Sequence, residues 1–338
     1  ADAGATVRST ALDEGRRLAG IQRADTPAER AYAAWLAAGK QLLPTTAEVA
    51  AVLALSQQAD LVIVGEDAGA GSGDGAGLAA ATQPRVASVD ISWFGHSGAL
   101  RDWRGSDLVV QALTGMPQMA GTVDGPPLSA GDRQATLLAG VTAYIAACAS
   151  LVGSHGQAAG AARRLSLSVL EANLVMAEMH MHFFERDGLA MRRCGINRFA
   201  PNSPVGIYPC RSGWLGITVA TPDQWRGLCT ALGLHAQAQD EGLATRELRF
   251  ARLDEVEAVL CEALARHSAD EWAAIGRQHR VPMVVVPDAA GMLAHPIFSH
   301  RQSLATLQHA GQQLQVPRTP FGLTTTPVRS SLAEPTTA

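Results

Sequence analysis

The chain has 338 residues, 47% of them hydrophobic and 17% charged, with a formal net charge of -4 from 27 basic and 31 acidic side chains. That length predicts two domains or one large one, and the lack of any long basic block argues against a nucleic-acid partner. The five cysteines are odd in number, widely spaced and without a CxxC pair, which argues against a disulfide framework and for free thiols in a reducing cytoplasm.

The first element in chain order is a helix rich in Ala, Val and Leu, Ala47 to Gln58. The wholly apolar run Leu61 to Val64 then suits a buried parallel strand, and a Gly-rich stretch, Gly65 to Gly77, follows it. Val86 to Trp93 is a second strand. Ala135 to Val152 and Leu165 to Phe184 read as two long helices. Gly, Asn and Pro punctuate Gly195 to Pro209, which marks a domain boundary. Beyond it come a strand (Trp214 to Val219), helices (Pro222 to Leu232, Arg252 to Arg266, Ala269 to Gln278) and a strand from Val281 to Val286. The Pro- and Thr-rich tail after Val316 reads as a surface-wrapping segment. No internal repeat is present. Helices alternating with strands predict an α/β fold. The apolar segment Leu137 to Val152, interrupted by Thr142 and Ser150, falls short of the ~18–20 apolar residues of a membrane span. Ala1 to Gly4 lacks the charge-then-apolar layout of a secretory leader.

Few side chains carry chemistry on sequence grounds. The Gly-rich stretch follows a strand, where a phosphate cradle would stand, but no GxGxxG or GK[ST] register fits it. Glu66, Asp67 and Asp74 would repel a phosphate, so a surface loop is the better reading. His180 and His182 lie two apart in a predicted helix and point about 200° apart, so no metal is expected there. His155 falls in a turn. Ser154 and Cys210 lack a nucleophile elbow and a neighbouring base. Trp214 and Trp225 read as core or domain-interface residues. Asp132 stands just before the helix that begins near Ala135. It reads either as an ordinary N-cap or as a carboxylate kept ionised and nucleophilic at the positive end of that helix.

A resemblance to family III CoA-transferases rests on ordered motifs. Ile91–Gly98 (ISWFGHSG) resembles the family's ISGFGQTGP, and Gly105–Gly115 (GSDLVVQALTG) its GFDLVVQALSG. Gly121–Pro127 (GTVDGPP) follows as GxPDGPP, and Ser166–Ala172 (SLSVLEA) resembles VDVSLLEA. Asp270–Trp272 and Arg280–Val286 are similar to AEEW and GVPAAPV. The resemblance covers most of residues 1–327.

It implies a Rossmann-like large domain (residues 1–195 and 310–338), a smaller α+β domain (205–305) and an interlocked homodimer with its site between subunits. It implies a cytoplasmic enzyme acting on acyl-CoA and carboxylic acids, with coenzyme A as substrate, no metal and no membrane. The family's catalytic aspartate falls on Asp132. By this resemblance Asp132 attacks the thioester to give an aspartyl anhydride, the CoA thiolate returns to form an aspartyl-CoA thioester, and an incoming carboxylate reverses the sequence. Lys40 and Arg104 are the candidate CoA-binding cations. Related racemases carry a proton-shuttling histidine where this chain has Ser106, which disfavours racemase chemistry. An acyl-CoA isomerase or racemase on the same scaffold and a non-catalytic CoA-binding paralogue remain the alternatives. Three departures stand out. Residues 1–7 resemble only the end of the family's opening strand and helix, so that unit is expected to be missing. The acidic Gly-rich stretch replaces the CoA-contacting ENFRPG loop. The RxGxGQ turn is reduced to Gly156–Gly160.

Overall fold

The computed structural model describes residues 5–10, 26–43, 49–65, 86–131, 133–154, 164–322, 331–332 and 336–337. The Gly-rich stretch beyond Gly65, His155 and Gly156–Gly160 lie outside them. The chain forms two compact units. The first holds residues 1–117, 129–191 and 296–338, and the second 118–128 and 192–295.

The first unit begins with β1 (Arg8–Thr10), α1 (Pro27–Ala37) and β2 (Gln41–Leu43). Thr26 and Glu29 form a capping box at the start of α1, with Pro27 in its first turn. α2 (Val49–Ser56) and β3 (Leu61–Gly65) follow, where a helix and a strand were expected. β4 (Ala87–Ser92), α3 (Asp107–Thr114), α4 (Gln134–Ser154), β5 (Arg164–Ser168), α5 (Val169–Leu174) and α6 (Glu178–Asp187) complete this stretch.

β3, β4 and β5 form one all-parallel sheet, with Ile63 opposite Val89 and Val89 opposite Leu165. Helix α4 covers one face of it. Ala135, Ala139, Ala143 and Ala147 recur every four residues, all are buried, and Val89 packs against Ala143 and Ala147. Methyl groups along this stripe let the helix axis approach the strands closely. The rest of α4 is apolar but exposed, at Leu137, Val141, Tyr144 and Ile145. The sequence boundaries of this helix were too short. Gln134–Gly153 is long and apolar enough to cross a membrane by length and composition, because Thr136, Thr142 and Ser150 do not end the helix.

The expected helix from Leu165 to Phe184 is a second correction. Arg164–Ser168 is strand, because its apolar residues alternate and it pairs with β4. Ser168 then turns the chain directly into α5, accepting a hydrogen bond from Glu171 N.

The second unit is built on an antiparallel sheet of β6 (Val205–Pro209), β7 (Trp214–Thr218) and β8 (Met283–Val285). Helices α7 (Pro222–Leu232), α8 (Arg246–Ala251), α9 (Leu253–Leu264) and α10 (Ala269–Gln278) pack on it. Leu215, Ile217 and Val219 alternate inward and join Trp225, Leu228, Leu260 and Trp272 in one core. Trp225 is buried as expected, but Trp214 is 54% exposed because its strand position faces outward. Arg193 holds residues 118–125, donating to the carbonyls of Gln118, Thr122 and Gly125 at 2.9–3.2 Å.

The chain ends in the first unit. β9 (Leu304–His309) and β10 (Gln312–Pro317) form a hairpin whose two turn residues, Ala310 and Gly311, both have positive φ, as a primed turn requires. β11 (Ser331–Leu332) pairs with β9, and β12 (Thr336–Thr337) pairs with β2.

Candidate active site

The sheet order brings the ends of β4 and β5 beside the starts of α3 and α4. Trp93, just after β4, packs over Gly105, just before α3. A Cβ on Gly105 would collide with the Trp93 indole, so only glycine lets the two motifs meet. Ser106 then caps α3, its hydroxyl accepting from Val109 N at 3.3 Å. The serine that replaces the racemase histidine thus has a structural task.

Asp107, the next residue, does not act on its own helix alone. Its Oδ1 accepts from Ala135 N at 2.6 Å and from Thr136 N at 3.3 Å, and its Oδ2 accepts from the Thr136 hydroxyl at 2.8 Å. These amides are the second and third of α4, the ones an N-cap side chain ordinarily serves. A carboxylate 28 residues away in sequence therefore caps α4. Gln111, one turn further along α3, accepts from Ala130 N at 2.9 Å through its Oε1. Asn173 donates to Ala135 O at 3.0 Å and to Val169 O at 2.8 Å. Three side chains thus fix the backbone on both sides of position 132.

Asp132 itself lies outside the described residues. Gly131, before it, has nothing within 4 Å of where a Cβ would stand. Arg133, after it, adopts a left-handed φ of 65°. Such backbone costs a branched or bulky residue roughly 1 kcal/mol or more and is concentrated at functional sites. The Arg133 guanidinium lies over the Tyr32 ring of α1, 4.5 Å from its centroid.

The two candidate CoA-binding cations differ. Lys40, between α1 and β2, is partly buried, and burial pulls its amine below the ordinary lysine pKa of 10.5. Arg104 is exposed in the turn before α3. Among the described residues no carboxylate pairs with either. One polar pair escaped the sequence. His96 Nε2 lies 2.8 Å from Asp90 Oδ2, joining the turn after β4 back to its strand. Its signal was the histidine standing where the family motif has glutamine. Asp107 and Gln111 were also missed, although four-residue spacing on one helix puts them on a common face.

Three of the thiols are poor nucleophiles. Burial pushes Cys210 and Cys261 up from their ordinary values and Cys229 up to about 12. Among the described residues no three His, Cys, Asp or Glu side chains gather as a metal site.

Comparison with known proteins gives the family and the fold. The pattern of CoA-transferase family III matches residues 1–338. A succinate–glutarate CoA-transferase of Agrobacterium fabrum is 27% identical over 255 residues, 75% of this chain and 62% of that protein. A succinyl-CoA–D-citramalate CoA-transferase of Chloroflexus aurantiacus is 27% identical over 66% of this chain and 55% of its own length. The chain thus spans less than two thirds of either relative. The crystal structure of a CAIB/BAIF family protein from Brucella suis superposes with a TM-score of 0.73 at 22% identity, covering 89% of this chain and 79% of that one. A mutant of Rv3272 from Mycobacterium tuberculosis superposes with a TM-score of 0.78 at 19% identity, covering 99% and 90%. These likenesses show a shared mixed α/β fold. The chain belongs to CoA-transferase family III.

Proposed function

We propose that this protein moves CoA between two carboxylic acids through covalent acyl intermediates on Asp132. The Asp132 carboxylate attacks the acyl-CoA carbonyl, the C–S bond breaks, and CoA leaves as thiolate. The thiolate then attacks the aspartyl carbonyl of the anhydride, giving an aspartyl-CoA thioester and releasing the donor acid as carboxylate. The acceptor carboxylate attacks that thioester, and the freed thiolate attacks the acceptor acyl carbon of the new anhydride. The product acyl-CoA leaves and Asp132 is regenerated.

The family match along residues 1–338 supports the chemistry. One observation carries the assignment of the residue: α4 begins at Gln134, which makes Arg133 its cap position, and the capping carboxylate on Ala135 N and Thr136 N comes from Asp107. The capping role that competes with a catalytic one for Asp132 is taken. Dicarboxylates are the first acids to test, since succinate, glutarate and citramalate appear in the names of the relatives. Lys40 and Arg104 are the cations for the CoA phosphates or pantetheine.

The first unit is the large, Rossmann-like domain and the second the small one, and two chains interlock into a cytoplasmic homodimer. The exposed apolar side of α4 supports burial against a second chain.

Intact-mass measurement after adding a panel of acyl-CoA thioesters tests the chemistry. The expected result is a CoA-sized adduct, removed by hydroxylamine and absent in Asp132→Ala. No adduct on folded protein with any member of the panel overturns the reading.

A further inference from the structure

The core of the second unit holds a charge without a counter-charge. Arg249, on α8, is fully buried. Its Nε donates to Ser203 O at 2.7 Å, and its Nη1 donates to the carbonyls of Leu243 and Ala244 at 2.9 and 3.2 Å. The guanidinium lies over the Trp225 ring, 4.8 Å from the centroid. Among the described residues no carboxylate pairs with it, and Glu247, on the same helix, pairs with Arg246 instead. Cys229, the neighbouring thiol, is pushed up to about 12 by burial and stays neutral.

A guanidinium buried without a counter-ion is costly. Three carbonyls and an aromatic face offset part of that cost with partial charges only. Around it, three buried polar atoms have no hydrogen-bond partner: Arg249 Nη2, Ser203 Oγ and Trp225 Nε1. All three belong to residues already in contact. Nε and Nη2 form one side of the guanidinium fork, so Nη2 faces the side where Ser203 sits.

Donor counting selects the ligand. Nη2 offers two hydrogens, and the indole and the hydroxyl offer one each. A water accepts about two hydrogen bonds and needs acceptors for its own two hydrogens. The carbonyls nearest the guanidinium already serve it. A small anion accepts from every donor and supplies the missing charge. We propose that the second unit encloses one monovalent anion of the chloride class, held by Arg249 Nη2, Ser203 Oγ and Trp225 Nε1.

Crystals of the full chain grown in bromide, with data collected at the bromine absorption edge, test this directly. An anomalous peak within hydrogen-bonding reach of the three atoms is expected. In parallel, the thermal midpoint should rise by about 5 °C when gluconate is exchanged for chloride at constant ionic strength. Arg249→Met should abolish the shift. Because that change threatens the fold, Ser203→Ala, which deletes one donor alone, and Trp225→Phe, which deletes one donor and trims the ring, should each at least halve the shift with unchanged circular dichroism. Density without anomalous signal, meaning a water, overturns the proposal. So does a peak with no chloride-dependent midpoint, meaning an adventitious ion only, or a shift that survives in all three variants.

Discussion

Asp107 in the first unit and Arg249 in the second do the same kind of work with opposite sign. Each is a charged side chain that holds backbone of another segment. Asp107 accepts from the amides that open α4, and Arg249 donates to three carbonyls around it. The difference lies in what each has left over. The positive end of a long helix offsets the Asp107 charge, and the Thr136 hydroxyl takes its second oxygen. Arg249 faces only carbonyl dipoles and the Trp225 ring, and keeps an unused donor. A charge satisfied by a helix end calls for nothing more. A charge satisfied incompletely calls for a ligand.

The comparison can be broken by substitution. Arg249→Met should cost most, about 3 kcal/mol, because three carbonyls lose their donor in a dry core. Urea unfolding followed by tryptophan fluorescence measures it, and wild-type stability would show those carbonyls to be solvated. Gly105→Ala should cost about 1–3 kcal/mol by driving a methyl into Trp93. Hydrogen exchange should place the loosening in α3 and α4. Asp107→Ala should cost about 1–2 kcal/mol as a lost cap and lower turnover about 100-fold by misplacing position 132. Asp107→Asn, which keeps an acceptor for the amides, should recover most of the stability. Equal turnover in Asp107→Ala and wild type would separate the cap from the catalytic residue.

The smallest effect concerns Lys40. Burial lowers its pKa in the folded chain below 10.5, so the unfolded chain binds more protons as pH approaches that value. Stability should therefore rise with pH in that interval. Lys40→Met should remove the rise and stabilise the protein at neutral pH by less than about 1 kcal/mol. Thermal melts from pH 7 to 10 read this, and an unchanged slope would place the amine in water.

What the sequence disclosed follows the range of its signals. Pro222–Leu232 and Ala269–Gln278 were legible to the residue, because Thr221 with Gln224 and Ser268 with Glu271 write both caps locally. β5 was not, since Ser168 ends the strand and caps the helix without an intervening turn. β9 and β10 were lost in a polar stretch whose turn, Ala310–Gly311, carries only one glycine. The α4 cap was invisible for a deeper reason. Cap rules look a few residues upstream, and Asp107 arrives through tertiary packing. Motif order pointed to Asp132, while the carboxylate that caps α4 required coordinates.

The closing strands bear on how the chain is made. β12, at residues 336–337, completes the sheet of β1 and β2, and β11 joins β9. Every strand of the second unit's sheet lies within residues 205–285. On the ribosome, that unit has its sheet in hand about fifty residues before the first unit can close its own. At ~5–20 residues per second the interval is several seconds. The sheet that holds residues 8–10 and 41–43 is therefore finished after the one that holds residues 205–285.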